Sequence, residues 1–351
     1  MAWLQRDGLR DIVTEAIGRR TASEILSEQL ERWRDFSGSD SDADKEEGPF
    51  ADEASMVVMQ KPLDITADDH GNRSFDPVSW SLLNQPMRLA GGGVDPDQFE
   101  AALKAEFPWL SAAIERITDD LRLHSLVPGP KWFHCRPLLL VGPPGIGKSR
   151  FARRLADLAG LGMRTMSLAG SADSQDLRGT SRGWSTAQPS AVLRTIRDHA
   201  SANPLILIDE VDKSATSNQN GRAVDALLAM IEPETGHAWH DECLCRDVDL
   251  TAVNWVLTAN NTIHIPGPLL SRLGIVRVGR PPPSAFAGII SGILADIAGD
   301  LGLKTDDLPQ LAPEVIEHLT RRFRGGTSIR RLQSAVRRAL AASLRSPPAP
   351  K

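Results

Sequence analysis

Apolar residues in this chain follow two rhythms. Leu138 to Val141 is an unbroken apolar run, and Met163 to Leu168, Leu205 to Ile208, Asn254 to Thr258 and Ile275 to Val278 read as further short strands. Runs without alternation suit strands buried on both faces of a parallel sheet. Between them the spacing is helical: Phe151, Leu155 and Leu158 share one face, and Gly160 can end that helix. Strands separated by helical patterns predict a doubly wound parallel α/β sheet, with ligands at the carboxyl ends of its strands.

The flanks read differently. After Pro281–Pro283 the strand signals stop, and residues 284–345 read as a small helical domain, with Ile329, Leu332, Val336, Leu340 and Leu344 in one stripe. Upstream, Phe99, Leu103, Trp109, Leu110, Ile114 and Ile117 suggest helices leading into the sheet. Residues 8–36 carry two helical stripes, and residues 37–54 form an acidic, Ser- and Asp-rich stretch of disordered composition. Residues 55–94 hold one apolar run, Met56 to Met59, and read as an arm across the body or a tether. The expected division is 1–36 helical, 37–94 linker or arm, 95–281 the α/β domain and 282–351 a helical lid.

Composition narrows the classes. The 351 residues carry a net charge of −5, which gives no global argument for nucleic acid. Eight arginines crowd the last helices (321, 322, 324, 330, 331, 337, 338 and 345). A solvated face is the favoured reading, and a nucleic-acid surface is the rival one. Three cysteines are too few for a disulfide framework, so a reducing cytoplasm is expected. No signal peptide is read at the N-terminus, and no stretch of about 18 apolar residues, so no membrane partner is expected.

The chemistry begins directly after the first strand of the sheet. Gly142-Pro143-Pro144-Gly145-Ile146-Gly147-Lys148-Ser149 fits the phosphate-loop pattern G-x-x-x-x-G-K-[ST]. Backbone N–H groups must approach phosphate oxygens, so Gly142, Gly145 and Gly147 keep the concave side bare. The helix that starts there points free N–H groups at the anion. Lys148 supplies a point charge for the β and γ phosphates of ATP, and the Ser149 hydroxyl can ligate Mg²⁺. Asp209 and Glu210 end a buried strand: the first can hold the Mg²⁺ water shell, the second can polarise an attacking water. Asn260, after the next strand, could orient that water or serve a turn.

These segments resemble, in order, the ATPase module of Lon proteases within the AAA+ superfamily. LLLVGPPGIGKS resembles its Walker A, LILIDEVDK its Walker B, and Leu257–Leu273 its sensor 1 and arginine-finger segment. The resemblance covers residues ~97–345, about two thirds of the chain. It implies an AAA+ fold with a helical lid, Asn260 as sensor 1, Arg272 as a finger reaching the neighbouring subunit's ATP, and Arg330 as the sensor 2 residue. Thr327 or Ser328 would cap the helix that carries Arg330. It also implies a homo-oligomeric ring, a hexamer.

Residues 178–189 are similar in spacing to the loop with which Lon grips polypeptide, and Trp184 falls at the position of the gripping aromatic. The alternative is a core tryptophan. The chain stops at Lys351, soon after the lid, where Lon carries a Ser–Lys peptidase. The expectation is therefore an ATPase motor that unfolds or remodels protein without its own peptidase, with a protease or adaptor in trans. The rivals are a nucleic-acid motor and an ATP-dependent assembly switch. His237, His240, Cys243 and Cys245 raise a zinc site, but the four would have to wrap one ion within nine residues, with Cys243 and Cys245 in a strand. A structural role is preferred.

Overall fold

A computed structural model describes residues 53–63, 77–168, 171–182, 184, 186–216, 218–324, 326 and 328–345. The two stripes in residues 8–36 and most of the acidic stretch lie outside these described residues.

The body is built on five parallel strands. In chain order they are β3 (Leu138–Val141), β4 (Met163–Ser167), β5 (Leu205–Asp209), β8 (Asn254–Ala259) and β9 (Gly274–Arg277), arranged β4-β5-β8-β3-β9. The doubly wound α/β reading is borne out. β3 lies between β8 and β9, with Leu139 opposite Leu257 on one side and Ile275 on the other.

Successive residues of each strand face opposite layers, which is why both layers are apolar. Leu138, Leu140, Leu205, Leu207 and Val256 pack with Phe99 and Leu103 of α1 (Pro96–Glu106), Ile114 and Ile117 of α2 (Ser111–His124), and Phe151 and Leu155 of α3 (Lys148–Ala159). Gly160 ends α3 in the left-handed conformation, φ 64°.

Leu139, Val141, Ile206, Ile208 and Leu257 face the other layer. They pack with Leu177 of α4 (Ser171–Arg178), Leu193 and Ile196 of α5 (Ala191–His199), and Leu227 and Met230 of α6 (Asn218–Ile231). Val58, Met59, Trp80, Leu83 and Met87 join this layer through a strand pair, β1 (Ser55–Val57) and β2 (Pro86–Arg88). Asp249 N–H donates to the Val58 carbonyl at 2.7 Å, so this arm belongs to the core of the body. The amide side chain of buried Asn203 donates to the carbonyls of Ala90 and Phe133, at 3.0 Å each, and fixes where the arm enters the body.

A short antiparallel pair, β6 (Trp239–Asp241) and β7 (Arg246–Val248), precedes β8. Here the sequence expectation is corrected: Cys243 and Cys245 lie in the turn between these strands, and not in a strand. Asp241 is the cause. Its carboxylate accepts from the N–H groups of Cys243 at 3.0 Å and Leu244 at 2.8 Å, which closes the turn.

The lid is a bundle of α7 (Phe286–Leu301), α8 (Pro313–Arg324) and α9 (Ile329–Ser343). Ile289, Ile293 and Ile297 meet Leu319, Phe323, Leu332, Val336 and Leu340 in a separate small core. Pro283–Leu301 has a mean hydropathy of 1.4 and is, by length and composition alone, long and apolar enough to cross a membrane. The expectation that no such stretch exists is corrected. Its isoleucine stripe is buried in the lid core.

Candidate nucleotide site

The phosphate loop leaves the carboxyl end of β3 and is pinned at once by Gly142 N–H donating to the Ala259 carbonyl, 3.1 Å. Gly145 and Gly147 have φ of 75° and 96°, a region that costs any residue with a Cβ. Gly142 is bare for another reason than the sequence reading assigned. A Cβ there would lie 2.2 Å from the Val278 carbonyl, so its partner is backbone beyond β9 rather than the anion. Gly147 supplies no side-chain cap to α3, so the first N–H groups of the helix are left to the loop's concave side.

Lys148 is 8% exposed, and its ammonium donates to the carbonyls of Gly142 at 2.6 Å and Pro143 at 3.1 Å. Burial lowers its pKa, against the pull of Asp209, Asp212 and Glu210. Ser149 Oγ donates to the Asp209 carboxylate, 3.1 and 3.2 Å to its two oxygens. A hydroxyl against a carboxylate at the mouth of a phosphate loop is a hard oxygen donor set, which fits Mg²⁺.

Thr258 organises the acids, and the sequence reading missed it. Its hydroxyl donates to Asp209 Oδ1 and accepts from the Glu210 N–H at 3.0 Å. A hydroxyl residue one place before the carboxyl end of the buried strand that follows the two acids is the signal that could have found it. Glu210 has φ 54°, rare for a residue with a side chain. Its carboxylate pairs with Lys213 at 2.7 Å. Buried Asp212 accepts from the Asn260 N–H at 3.1 Å and so ties Asn260 to the acidic segment.

The lid closes the far side. Ser328 caps α9, its Oγ accepting from the Arg331 N–H at 3.4 Å, which settles the choice left between Thr327 and Ser328 in favour of an observed Ser328 cap. Arg330 therefore stands in the first turn of α9. One cleft is lined by Pro144, Gly145, Gly147, Lys148, Ser149, Asp209, Glu210, Asn260 and Arg330, with Thr258 among them. Gly142, Pro143 and Ile146 do not line it. Pro143 offers its carbonyl to Lys148, and Ile146 is buried in the core. Arg150 and Asp296, also missed from sequence, line the cleft as an ion pair of 2.7 Å between α3 and α7.

Two predicted residues stand elsewhere. Arg272 is outside the cleft, its guanidinium paired with Glu232 and donating to the Pro268 carbonyl at 2.9 Å. Trp184 is 68% exposed, so it is not a core tryptophan. It sits in a loop whose sides pair at Thr180 and Gln188. Arg182 donates to the carbonyls of Cys243 at 3.0 Å and Leu244 at 3.3 Å, and Arg178 pairs with Glu242 at 2.9 Å. The loop thus rests on the β6–β7 turn. In that turn Cys243 is buried and Cys245 exposed, and His240 bonds Asp247 at 2.8 Å. Among the described residues no three or more His, Cys, Asp or Glu gather as a metal site.

Comparison with known proteins agrees with this geometry. Residues 138–279 match the family described as ATPase family associated with various cellular activities (AAA). The chain is similar to Lon protease 1 of Myxococcus xanthus, 35% identical over 185 residues, covering 53% of this chain and 22% of that protein. It is similar to Lon protease of Desulforamulus reducens, 31% identical over 261 residues, 74% of this chain and 32% of that protein. Lon protease of Xanthomonas oryzae is 31% identical over 327 residues, 89% of this chain and 38% of that protein. The chain thus spans between about a fifth and two fifths of the length of these relatives. With the parallel sheet, the phosphate loop at the end of β3 and the strand-end acids, these matches identify residues 138–279 as an AAA ATPase domain, and the chain as an ATPase module of Lon type within the AAA+ superfamily.

Proposed function

We propose that this module is a Mg·ATP-driven motor that works as a homo-oligomeric ring, a hexamer, and unfolds or remodels polypeptide drawn through its centre. The observation that carries the reading is the division of parts. Lys148, Ser149, Asp209, Glu210, Asn260 and Arg330 converge on one cleft of the chain, while Arg272 stands outside it. In this reading Lys148 and the loop N–H groups bind the β and γ phosphates. Ser149 and Asp209 hold Mg²⁺, which would offset phosphate charge. Glu210 takes the proton of the attacking water, and Asn260 orients that water. Arg330 of the same chain and Arg272 of the neighbour meet the charge that develops on the transferred group. The similar proteins are named proteases, so polypeptide is the substrate class carried over, with Trp184 as the gripping residue. A protease or an adaptor in trans is the partner this reading calls for.

The test is Glu210→Gln. It should bind ATP as wild type does while turnover falls at least about a hundredfold, because the amide cannot accept the proton. Nucleotide binding beside phosphate release is the measurement, and wild-type turnover in the variant would sink the assignment.

A further inference from the structure

Five carbonyls of the phosphate loop accept hydrogen bonds. Gly142 and Pro143 carbonyls accept from Lys148, and the Gly147 carbonyl accepts from the Phe151 N–H inside α3. The carbonyls of Gly145 and Ile146 are held from outside the loop. The Gly145 carbonyl accepts from the backbone N–H of Ile329, the first residue of α9, at 2.8 Å. The Ile146 carbonyl accepts from the indole N–H of Trp109 at 3.1 Å.

Peptide planes are rigid, so fixing a carbonyl outward fixes the next residue's N–H in the opposite direction. These two bonds therefore aim the N–H groups of Ile146 and Gly147 at the concave side. Trp109 is anchored for this task. Its ring sits 5.7 Å from Phe107, which stands 5.5 Å from Phe151 of α3 in an edge-to-face arrangement. Trp109 packs against both the body core and the lid core. The lid presses on the same spot: a Cβ on Gly145 would lie 2.9 Å from Ser328 Cβ, and one on Gly147 would meet Ile329 and Trp109 at 3.6 and 3.7 Å.

We propose that Trp109 and the Ile329 N–H are positioning groups that hold the phosphate loop in its anion-binding form, so that seating the lid is part of building the phosphate site. Trp109 is the fixed post, carried by the body. Ile329 is the movable one, carried by the lid. ATP affinity and lid position are thereby linked through a backbone bond as well as through Arg330. This rests on the cleft being the ATP site.

The two donors can be removed one at a time. Trp109→Phe keeps an aromatic ring and deletes the indole N–H. Ile329→Pro deletes the backbone N–H at the first helical position, where proline is tolerated. Ser328 before it already has φ −66° and ψ 149°, which a following proline requires. Ile329→Ala keeps the N–H and measures the loss of the side chain alone.

With the full chain and ATP as probe, Trp109→Phe should raise KM about fivefold over wild type, and Ile329→Pro about fivefold over Ile329→Ala, with kcat within about twofold. A packing defect alone would lower Tm without this split. KM at the reference value in either comparison overturns the assignment of that donor, and a fall in kcat at unchanged KM overturns the positioning role. Should Trp109→Phe fail to fold, the Ile329 pair decides. If wild type and Lys148→Ala bind ATP equally poorly, the nucleotide reading has failed instead, and the two failures are told apart.

Discussion

Lys148 shows how one residue carries opposite demands. It must be charged to meet phosphate, yet α3 and the loop bury it, and burial disfavours the ammonium. The sign follows directly. A lowered pKa in the free protein means the binding-competent cation is lost earlier as pH rises. ATP affinity should therefore begin to fall on the alkaline side below the usual lysine value of 10.5. Binding of a non-hydrolysable ATP analogue followed upward from neutral pH checks this, and affinity held flat up to that value would contradict it. Glu210 carries a second local cost, the left-handed φ of 54°, of order 1 kcal/mol or more. The Thr258 hydroxyl holds its N–H in that conformation and grips Asp209 at the same time. The two acids are thus set by one hydroxyl on the neighbouring strand.

At the scale of elements, the loop from Thr180 to Gln188 and the β6–β7 turn act as one support. Gly179 makes the start of the loop tight: φ is 82°, and a Cβ would lie 2.8 Å from the Gln188 carbonyl. Arg178 and Arg182 fasten it to the turn that Asp241 closes. Burial pushes the Asp241 carboxyl up, and the N–H groups of Ser190, Leu244 and Cys243 pull it back. Trp184 projects from this support, and a flat apolar face held out into solvent is suited to grip a chain. Trp184→Ala should keep ATPase and ring assembly while losing ATP-driven unfolding of a tagged fluorescent substrate. Truncating a buried aromatic contact costs about 2 kcal/mol or more of binding. Trp184→Tyr should stay largely active. Unfolding rate and phosphate release for the three proteins are the readouts, and unfolding at the wild-type rate in Trp184→Ala would remove the loop from the mechanism.

For the whole molecule, the decisive feature is that Arg272 lies outside its own chain's cleft, fastened to Glu232 and the Pro268 carbonyl. If it serves a neighbour's ATP, Arg272→Ala should bind ATP and barely turn it over. Mixing with Lys148→Ala subunits should restore some turnover, since some interfaces then join an intact cleft to an intact arginine. A fully active monomeric ATPase would rule out the shared site.

Features that depend only on neighbours along the chain were legible before folding. Unbroken apolar runs need two covered faces, so the parallel sheet was legible. The glycine pattern with Lys148 and Ser149 is a local backbone device, so the phosphate loop was legible too, as were the strand-end acids Asp209 and Glu210. Tertiary structure alone decided contacts between segments far apart in sequence. Gly142 is bare because the Val278 carbonyl passes beneath it. Val58 and Met59 complete one layer of the body, which a short apolar run among prolines does not announce. The cysteines fell into a turn because Asp241 closes it with two hydrogen bonds. Thr258, Trp109 and Ile329 act through a hydroxyl, an indole N–H and a backbone N–H, whose partners are set by packing and not by spacing. Such groups look like ordinary strand, core and cap residues until the fold brings Asp209, Ile146 and Gly145 within hydrogen-bonding reach.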